Sequence, residues 1–208
     1  MSIAIFGHAN RTVFRVTELQ ISISGVEWDT AESADRDLIS RAGHDRGAFA
    51  LLYRQHYEAI AGHVFRRTGD THATDDIVAE TFLAAMRSIS RFRFRGIPFR
   101  AWLFRIATNK VNRWARKRRR DAVKSLDSIG AGDAAASSAT RESGHEADRA
   151  RKVLLTLFPK HQAVLSLHYL EGMSLQEVAS VIGCRLGTVK SRLARGRDAL
   201  RERLTKWR

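Results

Sequence analysis

The sequence predicts an all-α protein made of two small helical domains joined by a flexible acidic linker. Apolar residues recur at three- and four-residue spacing in two separate stretches, and the 208 residues include only two prolines. A polar stretch of small residues without an apolar stripe separates the two. The predicted units are a poorly ordered N-terminal extension (1–30), a first domain (31–120), the linker (121–148) and a second domain (149–208).

Three amphipathic stretches predict the helices of the first domain. They are AFALLYRQHYEAIAGHVFRRTGD, ATDDIVAETFLAAMRSISRF and FRAWLFRIATNKVNRWARKRRR, with a loop between the last two. In the second stretch the helical spacing places Val78, Phe82 and Ala85 on one buried face. Asp75 and Asp76 are predicted in its first turn, where carboxylates interact favourably with the helix dipole.

The second domain carries the pattern of a helix-turn-helix. Ser174 and Glu177 have the spacing of a capping box, and Gly183 permits a tight turn before the next helix. On that helix Val189 and Leu193 are predicted to face the core. The remaining face combines hydroxyl and basic side chains, which suit phosphates and base edges in a DNA groove, although a solvated basic helix is the alternative. The residues proposed for this contact are Gly187, Thr188, Lys190, Ser191, Arg192 and Arg195.

Charge supports a polyanionic partner, either nucleic acid or an anionic membrane surface. The formal net charge is +14. Residues 91–120 hold 12 Lys and Arg without an acid, and residues 183–208 hold nine against two acids. Between them, residues 121–148 hold six acids and two bases. The sequence thus predicts two basic surfaces with an acidic connection.

Several classes of function are disfavoured. The single cysteine, Cys184, allows neither an intramolecular disulfide nor a thiolate zinc cluster. No apolar run is long enough for membrane insertion and the N-terminus lacks the features of a secretory signal, so we expect a cytoplasmic protein. Asp75, Asp76 and Glu80 form the only close acidic group. We therefore predict no catalytic site, no metal and no cofactor.

Two motifs resemble one bacterial family. SLQEVASVIGCRLGTVKSRLARGRDALRERL resembles region 4 of sigma-70 factors of the extracytoplasmic-function (ECF) subgroup. DDIVAETFLAAM is similar to their region 2.2, and the FRAWLFRIATNK segment to their regions 2.3–2.4. The resemblance implies a dissociable initiation subunit whose partners are core RNA polymerase, promoter DNA and an anti-sigma factor.

The resemblance also implies site residues. Contact with core polymerase would involve Asp75, Asp76, Glu80, Thr81 and Phe82, although Phe82 could instead be a core residue. Recognition and melting of the −10 element would involve Phe92, Arg93, Phe94, Arg95, Phe99, Arg100, Trp102, Asn109, Lys110 and Arg113. Interleaved aromatic and basic side chains suit this role, because unpaired bases stack on rings while cations hold the phosphates. Packing within the bundle is the alternative for the aromatic residues, and we favour it for Trp102.

Two other functions compete with this interpretation. A helix-turn-helix regulator acting without polymerase explains residues 149–208 but gives no role to the aromatic and basic loop. An enzyme acting on nucleic acid would need a second acidic cluster or a nucleophile with its base, and the sequence shows neither. Gly196 lies inside a predicted helix, and two interpretations of it are open. It either permits close approach to a phosphate or is tolerated near the helix end.

Overall fold

The computed structural model describes residues 36–93, 97–128 and 145–206, and their regular structure is helical throughout. The predicted extension and the middle of the predicted linker lie outside the described residues. Within the described ranges, no helix combines the length and apolarity that crossing a bilayer requires.

The helices follow one another with short connections, apart from the loop before α4 and the undescribed part of the linker. They are α1 (36–42), α2 (Arg46–Thr68), α3 (Thr71–Ser88), α4 (Phe99–Ser128), α5 (His145–Thr156), α6 (Pro159–Leu165), α7 (Leu175–Ile182) and α8 (Leu186–Lys206). A short 3₁₀ turn (Ile89–Arg91) follows α3, and a π-helical turn (Ser166–Leu170) continues α6. Helix α4 therefore extends eight residues beyond the predicted end of the first domain.

The start of α3 differs from the prediction. Asp70 is the N-cap, and its side chain accepts a hydrogen bond from the Ala73 amide at 3.0 Å. Asp75 and Asp76 consequently lie in the second turn, and the first turn contains no acid. The prediction was wrong because Gly69, with φ of 66°, ends α2 immediately before Asp70, so α3 begins at Thr71, two residues before the predicted stretch.

The predicted apolar face of α3 is confirmed. Val78, Phe82, Ala85 and Ile89 are all at most 5% exposed. They pack against α2 and α4, which makes the first domain a helical bundle with α4 as its central element.

The helix-turn-helix is also confirmed. Ser174 accepts a hydrogen bond from the Glu177 amide at 3.2 Å, while the Glu177 carboxylate accepts one from the Ser174 amide at 2.8 Å. Gly183 adopts the left-handed conformation that ends α7. Val189 and Leu193 then bury one face of α8.

Gly196 lies where α8 crosses α6. A Cβ at this position would be 3.2 Å from Cδ1 of Leu165 and 3.3 Å from Cβ of His161. Glycine therefore permits close packing of two helices. The sequence had suggested either phosphate approach or tolerance near the helix end, and neither interpretation describes this role.

The two domains pack on one another, which the sequence did not predict. Helix α7 and the π-helical turn contact α4 and α2. Leu167, Met173 and Val178 belong to the same buried cluster as Phe104 and Ala107 of α4. A single apolar core therefore spans both domains.

A charged side chain is buried at this interface. Glu171, 4% exposed, is ion-paired with Arg66 of α2, and its Oε2 lies 3.7 Å from Nη2 of Arg100 on α4. Arg100 also donates a hydrogen bond to the main-chain oxygen of Glu171 at 2.9 Å. Burial raises the pKa of Glu171, although Arg66 and Arg100 act in the opposite direction. Burial likewise lowers the pKa of Arg100. The desolvation of these charges therefore outweighs their mutual attraction.

His63 connects the same interface by neutral hydrogen bonds. The ring is fully buried and makes two hydrogen bonds. Nε2 lies 3.1 Å from Oγ1 of Thr108, and Nδ1 lies 3.3 Å from Oγ of Ser166. Burial, followed by the positive charges of Arg67, Arg66 and Arg100, lowers the pKa of His63 well below its usual value. The imidazole is therefore neutral at physiological pH.

We predict that Gly196→Leu destabilises the protein by about 1–3 kcal/mol, because the larger side chain overpacks the α6–α8 contact. Gly196→Ala should leave the free energy of unfolding nearly unchanged, because a gain of about 1 kcal/mol in helix propensity offsets the cost of the tight contact. Urea unfolding measures both variants, and Arg197→Leu on the exposed side of α8 is the control. A Gly196→Leu variant as stable as wild type would contradict the packing role.

We predict that acidification from pH 7.5 to 5.5 destabilises the wild type more than His63→Gln. The unfolded chain takes up a proton near pH 6.5 that the buried ring does not, so stability is lost as pH falls. One such proton accounts for up to about 1.4 kcal/mol per pH unit. The measurement is urea unfolding at both pH values, with exposed His72→Gln as the control. Equal pH dependence in wild type and His63→Gln would refute this account.

Candidate nucleic-acid and polymerase interface

The six residues predicted to contact the −35 element lie on one side of α8. Gly187, Lys190, Ser191 and Arg195 are exposed, whereas Thr188 and Arg192 are half-buried. The opposite side carries the buried residues Val189, Leu193 and Gly196. Ser191 donates its hydroxyl to the Thr188 main-chain oxygen at 3.0 Å. Burial of Val189 and Leu193 therefore directs this side of α8 away from the core.

The exposed side of α4 carries further predicted DNA contacts. Asn109 and Arg113 are exposed, and Lys110 is ion-paired with Glu80 of α3 at 2.7 Å. This pair joins a residue predicted to contact DNA with one predicted to contact polymerase. Further along α4, four arginines lie close together on its surface. They are Arg113, Arg116, Arg119 and Arg120.

The aromatic residues before and within α4 form a cluster. Phe92 packs edge-on against Phe99, with centroids 5.5 Å apart, and lies 5.1 Å from Trp102. Phe99 is 2% exposed and is therefore a core residue in this arrangement, while Phe92 and Trp102 are half-buried. The structure corrects the prediction for Phe99, because its ring seals the bundle between His56 and Trp102.

The loop itself is described only in part. Arg93 is exposed and its guanidinium donates to the main-chain oxygens of Ser90 and Phe92, each at 2.9 Å. Phe94 and Arg95 lie outside the described residues. Arg100 is directed to the domain interface, where it contacts Glu171.

The residues predicted to bind polymerase divide into two groups on α3. Asp75, Asp76 and Glu80 are exposed. Thr81 is fully buried and donates to the Ile77 main-chain oxygen at 2.7 Å, and Phe82 is 5% exposed. Thr81 is therefore corrected to a core residue, and for Phe82 the core alternative holds, because both side chains lie on the apolar face that packs against α2.

An exposed apolar patch beside the acids was missed in the sequence. Leu83 and Met86 of α3 are 42% and 45% exposed, and Tyr53 of α2 is 39% exposed. The Tyr53 ring lies 4.6 Å from that of Phe82. The sequence signal for this patch was a second helical stripe of apolar residues on α3, offset from the buried one.

Within the described parts of the chain, no group of three or more His, Cys, Asp or Glu is placed to hold a metal ion.

Comparisons with known proteins identify both domains. Residues 52–121 match the family model for Sigma-70 region 2, and residues 147–200 match that for Sigma-70, region 4. The chain is 30% identical to the RNA polymerase sigma factor YlaC of Bacillus subtilis over 78% of this chain and 95% of that protein. It is 34% identical to the ECF sigma factor SigL of Mycobacterium tuberculosis over 77% and 90%. With SigE of Mycolicibacterium smegmatis, 33% identical, it matches 74% of this chain but 61% of the longer relative.

Comparison with solved structures also gives matches over most of the chain. The structure of CnrH in complex with the cytosolic domain of CnrY superposes with a TM-score of 0.64 at 30% identity, covering 83% of this chain and 98% of that one. The sigma factor RpoE of Bartonella quintana, in complex with the anti-sigma factor NepR, gives 0.61 at 27% identity, covering 76% and 96%. The chain belongs to the ECF subgroup of the sigma-70 family, the alternative sigma factors that direct promoter-specific transcription initiation.

Proposed function

We propose that this sigma factor binds core RNA polymerase through its first domain (31–120) and places it on promoters that carry −10 and −35 elements. The first domain reads and opens the −10 element, and the second domain (149–208) reads the −35 element. The observation that best supports this is the outward basic and hydroxyl side of α8, on a capped helix-turn-helix in the same chain as a region 2 match. The chain contributes binding, whereas polymerase performs the chemistry in the cytoplasm.

In vitro transcription tests the proposal. Core polymerase and fragmented genomic DNA are incubated with and without the protein, and the new 5′ ends are mapped. Discrete starts that share two elements at a fixed spacing are expected. Absence of new starts, together with tight duplex binding by the protein alone, would instead support a regulator that acts without polymerase.

Strand opening without ATP requires that unpaired bases be stabilised by the protein. The half-buried rings of Phe92 and Trp102 offer stacking surfaces, and the exposed side chains of Asn109 and Arg113 extend the same surface along α4. Stacking contributes about 1–3 kcal/mol per base, so two or three such contacts offset the cost of unpairing a few bases. We propose that the bases flipped from the −10 element lie at this aromatic cluster.

For polymerase binding we propose the outer side of α3. Asp75, Asp76 and Glu80 give it negative charge, and Leu83 and Met86 supply apolar area beside them. A surface of this kind fits a partner with an apolar groove and basic rim. Thr81 and Phe82 support this surface from below.

An anti-sigma factor is proposed as a further partner. The CnrH and RpoE structures are described as complexes with CnrY and with the anti-sigma factor NepR. A protein of this class that covers α3 or separates the domains would hold this chain off polymerase.

The acidic stretch 121–148 leaves the two DNA-binding domains tethered, so the second promoter contact becomes effectively intramolecular.

We predict that Arg192→Ala or Arg195→Ala weakens −35 binding by about 1–3 kcal/mol if the side chain reads a base. Binding of the holoenzyme to cognate and scrambled −35 elements measures it, with Arg201→Ala, further along α8, as the control. Equal loss on both sequences, with a salt slope reduced by about one, would assign the side chain to phosphate instead.

We predict that Met86→Glu weakens binding to core polymerase at least about tenfold, or about 1.4 kcal/mol, since it places a charge in an apolar contact. Met86→Leu, which keeps the side chain apolar and of similar volume, should bind as the wild type does. Fluorescence anisotropy with labelled protein and core enzyme gives both affinities. A Met86→Glu variant with wild-type affinity would remove this patch from the interface.

A further inference from the structure

Both main-chain polar groups of Phe92 are hydrogen-bonded where the chain leaves the short 3₁₀ turn. Its amide donates to the main-chain oxygen of Ile89 at 2.9 Å, and its own oxygen accepts a hydrogen bond from Nη1 of Arg93 at 2.9 Å. The same Nη1 donates to the main-chain oxygen of Ser90, also at 2.9 Å. The Arg93 side chain therefore joins Phe92 to the turn that precedes it.

The turn is itself fixed to the first domain. Ile89 is 2% exposed and belongs to the apolar core. On the other side, a Cβ at Gly43 would lie 3.6 Å from Cβ of Ser90, so the connection between α1 and α2 packs against the turn. The Ser90 oxygen that Arg93 binds is thus part of a well-packed segment, and a side chain bound to it is held in place.

These bonds determine where the Phe92 ring lies. The ring packs edge-on against Phe99, with centroids 5.5 Å apart, and lies 5.1 Å from Trp102. Phe92 is half-buried, so part of it is accessible to a stacking base. A ring that is already in place stacks without a further loss of conformational entropy, and this makes the stacked state more favourable.

The contacts of Arg93 differ from those that the family resemblance implies. The resemblance places this residue directly on −10 DNA, and its side chain is indeed exposed. Its two hydrogen bonds, however, occupy both hydrogen atoms of Nη1, and both acceptors are main-chain oxygens of the protein. The geometry therefore favours a role within the protein for this guanidinium.

We propose that Arg93 is a positioning residue for strand opening: its guanidinium holds Phe92 at the aromatic cluster, where the ring stacks on a base flipped from the −10 element. The inference rests on the proposed function, and it replaces a direct DNA contact of Arg93 with an action through Phe92. The two residues then work as one unit. Substitution of both should slow opening no more than substitution of Phe92 alone.

The test is a double-mutant cycle in the holoenzyme. The probe is a promoter fragment from the mapped starts, with a fluorescent purine analogue beside the −10 element that reports unpairing. Phe92→Ala, Arg93→Ala and the double variant are compared with the wild type. Arg91→Ala is the matched control, because it removes the same charge from an exposed residue two positions away.

Arg93→Ala is expected to slow opening about tenfold, the order expected for the loss of two hydrogen bonds. The double variant should open as slowly as Phe92→Ala, and Arg91→Ala should not slow opening. Binding to the closed promoter, measured in the cold, should keep the wild-type affinity and salt slope. Wild-type opening by Arg93→Ala would overturn the proposal. Losses that add in the double variant, with a salt slope reduced by about one, would also overturn it and make Arg93 a phosphate contact.

A second measurement needs no promoter. In protein labelled with fluorophenylalanine, the fluorine NMR signal of Phe92 is assigned by its loss in Phe92→Leu, and the rings of Phe99 and Trp102 displace it. Arg93→Ala should move this signal towards its position in the unfolded chain, whereas Arg91→Ala should not. An unmoved signal in Arg93→Ala would refute the positioning role. Failure of the proposed function is separately visible, as a wild type that directs no new starts with core polymerase.

Discussion

The arrangement of the two domains depends on a carboxylate that is removed from water. Glu171 is buried between the domains, and its raised pKa indicates that desolvation outweighs the attraction of Arg66 and Arg100. A buried ion pair of this kind contributes little net stability, but loss of one partner leaves the others uncompensated. The packing free energy must therefore come from the apolar contacts around Leu167 and Val178.

Helix α4 links this interface to the surfaces that are proposed to bind DNA. Its buried residues, Phe104, Ala107 and Val111, are each at most 1% exposed and lie in the core shared by both domains. Its outer side carries Asn109 and Arg113, and its first turn carries Arg100. Helix α4 thus packs on α2, α3 and α7 and has a basic side exposed to solvent. Movement of the second domain therefore changes what the first turn of α4 can contact.

Local patterns predicted what local physics determines. The spacing of Val78 and Phe82 and the capping box at Ser174 are fixed within a few residues, and each was correct. The resemblance carried Thr81 onto a binding surface although its spacing from Val78 and Ala85 places it on the buried face. The contact between Arg66 and Glu171 joins residues 105 positions apart, and no periodicity encodes it. Sequence reasoning therefore predicted the helical fold and the helix-turn-helix, but not the interface.

A tethered interface need not be strong to be populated. Because one chain carries both domains, packing is an intramolecular event at a high effective concentration, and a weak apolar contact suffices. A partner that binds only the separated domains shifts the population by its differential affinity, and about 1.4 kcal/mol changes the ratio tenfold. The outer side of α3 and the exposed side of α8, which are proposed to bind polymerase and DNA, include none of the three residues Arg66, Arg100 and Glu171, so a partner bound at either surface can supply that difference without competing for the buried charges.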